Sequence, residues 1–227
     1  MTALIDADIV AYRAAYSTEG MTPEDAEDRV DELLGYILED TTFDGSPREL
    51  FLTGSGNFRN DIAVTAPYKG NRKGTERPEF LGHVREYMVD HWDAVVSEDE
   101  EADDLIAIRA TELHPNCVVA SVDKDFLQVP GWHYNTRTRE VRFVDDWEGL
   151  KFFYTQILTG DRADNIMGLK GIGPKRAEKL LHEATTEQEL LTVCLNSYAG
   201  DMKRVLENGR LLWLRREVGQ IWHPDTG

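Results

Sequence analysis

Cysteine is nearly absent from this 227-residue chain, with only Cys117 and Cys194. Two cysteines make no disulfide framework and show no metal-ligand spacing, so a reduced, intracellular protein is the simplest expectation. Long apolar runs are missing too. No stretch approaches the ~20 residues that a membrane-spanning helix needs. The opening MTALIDAD has no basic segment followed by an apolar run, and a cytosolic protein is expected. The six histidines show no mutual spacing for zinc, and no Ser/His/Asp or Cys/His arrangement stands out. Repeats and low-complexity tracts are also lacking. Basic residues are scarce, with 25 Lys and Arg against 42 Asp and Glu, a formal net charge of −17.

What is present is unevenly placed. Residues 19–44 hold ten acids and one arginine, and residues 90–104 hold eight acids and no Lys or Arg. These two windows account for the whole net charge. Residues 69–85 hold five basic and two acidic residues, and residues 203–216 hold five and one. A phosphate backbone is held by local charge, so the total does not exclude nucleic acid.

Leu4-Ile5 before Asp6, Glu49–Leu52 and Cys117–Val122 read as short buried strands. A hairpin is expected from Trp132–Asn135 and Glu140–Val144. Thr22-Pro23 starts a helix, cap then proline, along which Ala26, Val30, Leu33, Leu34 and Ile37 keep helical spacing. Val84, Tyr87, Met88, His91, Trp92 and Val95 predict one amphipathic helix, and another is expected from about Ala102 to Leu113. Helices dominate from Trp147 onward. Strand–helix alternation predicts an α/β fold: a mainly parallel central sheet with helices on both faces, then a C-terminal helical region. The expected division is 1–146 for the α/β core and 147–227 for the helical part.

Several acids do not fit a solvated helix face. Asp6 ends the first strand, Glu101, Asp103 and Asp104 open a helix, Asp123 and Asp125 follow a strand, and Asp161 and Asp164 precede Gly171-Ile172-Gly173-Pro174-Lys175. Any one of them alone is most simply a cap or turn residue. Asp8 is read that way, as a cap of the helix that follows it. As a set beside strand ends they suit hard divalent cations, Mg²⁺ in particular. The Gly-Ile-Gly turn opens a helix whose first turn offers free N–H groups to an anion, with Lys175, Arg176 and Lys179 adding charge. It reads as a backbone track of helix-hairpin-helix type.

In order and spacing, residues 3–182 resemble the structure-specific 5′ nucleases, the flap endonucleases and 5′–3′ exonucleases, and within them the phage and bacterial branch. The likeness rests on Leu-Ile-Asp6, Tyr68-Lys69-Gly70-Asn71-Arg72, Glu101-Ala-Asp103-Asp104 and Asp123-Lys-Asp125. It continues through Gly160-Asp161-Arg-Ala-Asp164-Asn165 to Gly171-Ile-Gly173-x-Lys175-Arg176. The resemblance implies a PIN-like 5′ nuclease fold with a short arch at about 69–97, and hydrolysis of DNA phosphodiesters in replication or repair. It implies two Mg²⁺ ions, replaceable by Mn²⁺: one on Asp6, Glu101 and Asp103, the other on Asp123, Asp125, Asp161 and Asp164, with Asp104 nearby. Lys69 and Arg72 would contact the scissile phosphate, and Tyr68 would stack on a base. Gly171, Ile172, Gly173, Lys175 and Arg176 would grip duplex, with K⁺ at the turn. Lys203, Arg204, Arg210, Arg215 and Arg216 are assigned to further DNA contact. The partners implied are DNA 5′ ends, overhangs or flaps, with RNA/DNA hybrid in range, for a monomer in the cytoplasm (the host's, if a phage encodes it). One departure is visible: the acid usual after the second strand is missing from Leu52–Arg59. The alternatives are a PIN-like ribonuclease and a non-catalytic DNA-structure binder.

Overall fold

The computed structural model describes residues 1–42, 45–72, 74 and 76–224. Lys73, one of the five cations of the 69–85 window, lies outside them. Along the chain run β1 (Thr2–Asp6), α1 (Ala7–Ser17), α2 (Pro23–Thr41), β2 (Arg48–Ser55), α3 (Arg59–Ile62), α4 (Leu81–Trp92), β3 (Val95–Glu98) and α5 (Ala102–Leu113). Then come β4 (Cys117–Ala120), β5 (Gly131–Asn135), β6 (Glu140–Val144), α6 (Asp146–Thr159), β7 (Gly160–Asp161), β8 (Ile166–Met167), α7 (Pro174–Leu181), α8 (Glu187–Ser197) and α9 (Met202–Leu212). They form two compact units, one of residues Met1–Asn57 and Thr75–Val144, the other of Phe58–Gly74 and Asp145–Gly227. The short segment Phe58–Gly74 thus groups with the C-terminal unit, a long-range assignment that local pattern does not carry.

The first unit is built on a six-stranded sheet of order β3-β2-β1-β4-β5-β6, parallel except for the β5–β6 hairpin. The central strands β1 and β4 are buried at every position and largely apolar because both faces are covered. Ala3 and Ile5, Leu50 and Leu52, and Val118 and Ala120 join one core with residues of α1, α2 and α4. Leu4, Phe51 and Val119 are equally buried but alternate to the other face, and α5 packs against β1, β2, β3 and β4. The chain moves outward from β1 to β2 and β3, then returns to β4 on the other side. That reversal makes the carboxyl ends of β1 and β4 a topological switch point, where crevices form.

The helix expected through Val95 stops earlier. Asp93 takes a left-handed φ of 55° as C-cap of α4, and Val95 begins β3. The second unit packs around Phe153, Tyr154, Ile157, Leu181, Leu190 and Trp222, with the small antiparallel β7–β8 pair between α6 and α7. Among the described residues, no helix is long and apolar enough to cross a membrane.

Candidate functional site

Asp6 sits where β1 becomes α1. It is the N-cap, its Oδ1 accepting the Ile9 N–H at 3.3 Å, and only 4% of it is exposed. Asp8, expected to be the cap, instead accepts the Thr53 N–H at 2.9 Å and pairs with Arg85 of α4. Ile5 pairs with Ala120 across the parallel ladder, so Ser121 comes level with Asp6. The Ser121 hydroxyl donates to Asp6 Oδ2 at 2.7 Å and accepts the Asp123 N–H at 2.9 Å. Asp123 in turn caps the short 3-10 turn Lys124–Gln128, accepting the Asp125 N–H at 2.8 Å. Lys124 pairs with Asp125 at 3.0 Å.

Burial pushes the Asp6 carboxyl up to about 7. The charges of Asp8 and Asp123 push the same way, against the bonds from Ser121 and the Ile9 N–H. A buried acid next to two others is electrostatically short of a cation.

A second network fixes the start of α5. Ala102 N–H donates to Thr53 Oγ1 at 3.0 Å, and Glu101 N–H donates to Asp104 Oδ2 at 3.3 Å. Asp104 is fully buried, Glu101 is buried, and Asp103 is half-buried. Thr53 stands at the end of β2, where the resemblance finds no acid. It ties Asp8 to the first turn of α5 through one side chain and its own backbone. The sequence pattern singles out neither Thr53 nor Ser121; the available signal is a hydroxyl near the carboxyl end of each of the two strands that flank β1.

Among the described residues, no group of three or more His, Cys, Asp or Glu side chains is gathered as a ready metal cage. The donors nevertheless suit a hard divalent cation. They are carboxylate and hydroxyl oxygens, and the ionised form of Asp6 is disfavoured until positive charge is near. Asp6, Asp123, Asp125, Glu101, Asp103 and Asp104 are the residues of this unit able to hold one. Beside Asp123 lies an open pocket of about 240 Å³, bordered by Ser121, Lys124, His133 and Arg142.

The second unit brings together the basic segment and the Gly-Asp motif. Lys69, at a left-handed φ of 51°, precedes the 3-10 turn Gly70–Arg72, and the Arg72 N–H donates to the Lys69 carbonyl at 3.0 Å. Lys69 and Arg72 therefore share one turn, as their spacing suggests. Asp161 is buried and accepts the Ala163 N–H at 2.7 Å. Asp164 receives the Tyr68 hydroxyl at 3.0 Å on Oδ2 and Arg72 Nη2 at 2.6 Å on Oδ1, with Lys69 Nζ at 3.7 Å.

Tyr68, expected to stack on a base, lies within the second core. The residue is 9% exposed, with Lys69 Nζ 5.2 Å from the ring centre. The five C-terminal cations divide as well. Arg204 is held by Glu207 and the Met167 carbonyl, Arg210 by the Trp222 carbonyl, Arg215 by the Gln220 carbonyl, and Arg216 lies over Trp213. These four are engaged inside their own unit. At the Gly-Ile-Gly turn, Gly171 has φ +78° and Gly173 is the N-cap of α7, with Pro174 at N1. Lys170, Lys175 and Arg176 are exposed around it.

No family model matches the chain. It is 34% identical over 135 residues to a flap endonuclease Xni of Shewanella piezotolerans, covering 52% of each chain. It is 27% identical over 168 residues to a flap endonuclease Xni of a Shewanella species, covering 68% of this chain and 64% of that one. The chain thus spans about half to under two thirds of the length of the curated relatives it matches. A flap endonuclease of bacteriophage T5, solved as a complex with DNA and metal ions, superposes with a TM-score of 0.72 at 16% identity, over 93% of this chain and 88% of that one. The catalytic core of Rad2 with a DNA substrate gives 0.56 at 13% identity, over 99% and 83%. At these identities the structural likeness is one of fold. By sequence the chain is similar to proteins named flap endonucleases, and by fold to the T5 flap endonuclease and the catalytic core of Rad2.

Proposed function

We propose that the chain is a divalent-metal-dependent 5′ nuclease that hydrolyses DNA phosphodiesters at 5′ ends, overhangs or flaps. The observation that carries the reading is Asp6: a buried acid at the switch point of a parallel sheet, hydroxyl-bridged to Asp123 and lifted to about 7 by burial and like charge. The matched relatives are named flap endonucleases, and the T5 fold neighbour was crystallised with DNA and metal ions.

Asp6, Glu101, Asp103, Asp104, Asp123 and Asp125 are the proposed metal residues; Asp161 is proposed on its motif alone. Bound divalent ions supply an activated water and stabilise the leaving oxygen. Ser121, bonded to Asp6 and to the Asp123 N–H, and Thr53, bonded to the first turn of α5, would hold those acids in place. Lys69 and Arg72 would bind the phosphate to be cut, and two donors on one turn suit a single phosphate. The turn Gly171–Lys175, as a helix-hairpin-helix grip, would hold backbone through free N–H groups and Lys170, Lys175 and Arg176. Two Mg²⁺, with Mn²⁺ as substitute, K⁺ at the turn, a monomeric state, tolerance of RNA/DNA hybrid and a cytoplasmic place in replication or repair are the finer parts of this reading.

The test is degradation of a 5′-labelled overhang duplex and of matching RNA, in Mg²⁺ and in EDTA. Metal-dependent loss of DNA with RNA intact supports the reading, and RNA cleavage alone replaces it with a ribonuclease. A second reading, a non-catalytic DNA-structure binder, is favoured by the lack of a gathered three-acid cluster among the described residues. It predicts binding with no cleavage in either metal.

A further inference from the structure

Asp164 is expected from its motif to bind metal, yet its surroundings describe another task. Three side chains of one five-residue segment converge on its carboxylate. Arg72 Nη2 takes Oδ1 at 2.6 Å, while the Tyr68 hydroxyl at 3.0 Å and Lys69 Nζ at 3.7 Å take Oδ2. The carboxylate is 16% exposed. The backbones are joined as well. The Lys69 N–H donates to the Asp164 carbonyl at 2.9 Å, Arg72 Nε to the Ala163 carbonyl at 3.2 Å, Asn71 Nδ2 to the Arg162 carbonyl at 2.8 Å, and Asn165 Nδ2 to the Pro67 carbonyl at 2.9 Å. Segments 67–72 and 162–165 are thereby fastened to each other inside the second unit.

An ion at Asp164 would have to displace a guanidinium and approach an ammonium, both already neutralising it. A carboxylate with two cations and a hydroxyl on it is a poor metal donor and a good anchor. The left-handed Lys69 points the same way, because a non-glycine residue at φ 51° persists where surrounding bonds over-determine it. We infer that Asp164 is a positioning residue that holds Tyr68, Lys69 and Arg72 in register, rather than a metal ligand. Lys69 and Arg72 would then reach a phosphate as a pre-set pair, with little ordering left to do on binding. The consequence for catalysis rests on the nuclease reading above; the clamp itself does not.

The experiment uses the full chain with Asp164→Asn, which keeps the shape and one acceptor and removes the charge, and Asp6→Asn as a ligand control. Three readouts are taken: Mn²⁺ binding by calorimetry, trypsin cleavage after Lys69 and Arg72 in DNA-free protein, and single-turnover cleavage of an overhang duplex in saturating Mg²⁺. The inference predicts parent-like Mn²⁺ stoichiometry and affinity for Asp164→Asn but not for Asp6→Asn. It predicts tryptic cutting at Lys69 and Arg72 faster by roughly tenfold, since one charge-assisted clamp is worth about that much. It also predicts slower DNA cleavage by Asp164→Asn, and that adding Asp164→Asn to Arg72→Ala slows cleavage by less than Asp164→Asn slows the parent. Loss of Mn²⁺ affinity matching Asp6→Asn, or unchanged tryptic cutting, overturns it. If the parent protein cleaves no DNA, the nuclease reading fails while the first two readouts still decide the clamp. Should Asp164→Asn unfold, Asp164→Glu, which keeps the charge, is read by the same Mn²⁺ and trypsin measurements.

Discussion

Asp6 carries opposing demands on one side chain. It caps α1 and is bridged by Ser121, which favours its charge, yet burial and the charges of Asp8 and Asp123 raise it from 3.8 to about 7. Below about pH 4 it is protonated both folded and unfolded and contributes nothing. As pH rises toward 7 the unfolded chain releases a proton that the folded chain keeps, so metal-free stability falls through that window. Asp40, held down to about 2 by Arg139 and Tyr134, acts in the opposite sense and only at lower pH. Metal-free Asp6→Asn should therefore be more stable than the parent at about pH 8, by roughly 2 kcal/mol, with the gap closing near pH 4. Urea unfolding in EDTA at several pH values measures it. A less stable variant at pH 8 would mean that the Ser121 bond outweighs the crowding. The two turn glycines separate in the same residue-by-residue way. A Cβ at Gly173 meets nothing within 4 Å and its φ is ordinary, whereas Gly171 needs φ +78°. Gly173→Val should fold normally and weaken binding to duplex more than to single strands. Gly171→Ala should cost about 1 kcal/mol of stability in a denaturant titration.

Elements inherit these choices. The one-turn helix α3 looks too short to matter, yet its Arg59 is 1% exposed, donating through Nε to the Leu211 carbonyl at 2.9 Å and through Nη2 to the Trp213 carbonyl at 2.8 Å. Those carbonyls end α9 and have no partner within the helix. Arg59→Ala would strand them in a buried setting, so unfolding should show a loss of about 2–4 kcal/mol, and Arg59→Lys should recover only part of it. A near-neutral Arg59→Ala would mean that water replaces the guanidinium there. Signals of this kind also decide what could be read in advance. The helix from Thr22, the α5 span, the hairpin and the first, second and fourth strands were legible because their periodicity or caps are local. β3 was not. Val95 continues the helical spacing of Met88 and Trp92, and the left-handed Asp93 that breaks it has no sequence mark. Ser121 and Thr53 matter only through neighbours that the sheet supplies. The clamp on Asp164 joins residues more than 90 positions apart, which no local pattern announces.

For the whole molecule, the proposed DNA substrate poses the question of how a chain of formal charge −17 would hold a polyanion. Long-range repulsion opposes approach, so affinity must come from a few local cations. Arg204, Arg210, Arg215 and Arg216 are engaged within their own unit, which leaves Lys203, the exposed Lys170, Lys175, Arg176 and Lys179 at and after the turn, and Lys69 and Arg72 in the clamp as candidates for phosphate contact. With roughly three to five phosphates neutralised, the log–log dependence of duplex affinity on salt should have a slope of about −3 to −4, shallower than for a strongly basic DNA binder. Removing one contact, as in Lys175→Ala, should reduce that slope by about one and weaken all duplex sequences alike, because backbone contacts carry no base information. The measurement is fluorescence anisotropy of a labelled overhang duplex, in Ca²⁺ held constant, across about 50–200 mM salt. A parent slope near −8 would show that more cations face the DNA than the turn and the clamp supply. An unchanged slope in Lys175→Ala would remove the Gly-Ile-Gly turn from the binding face.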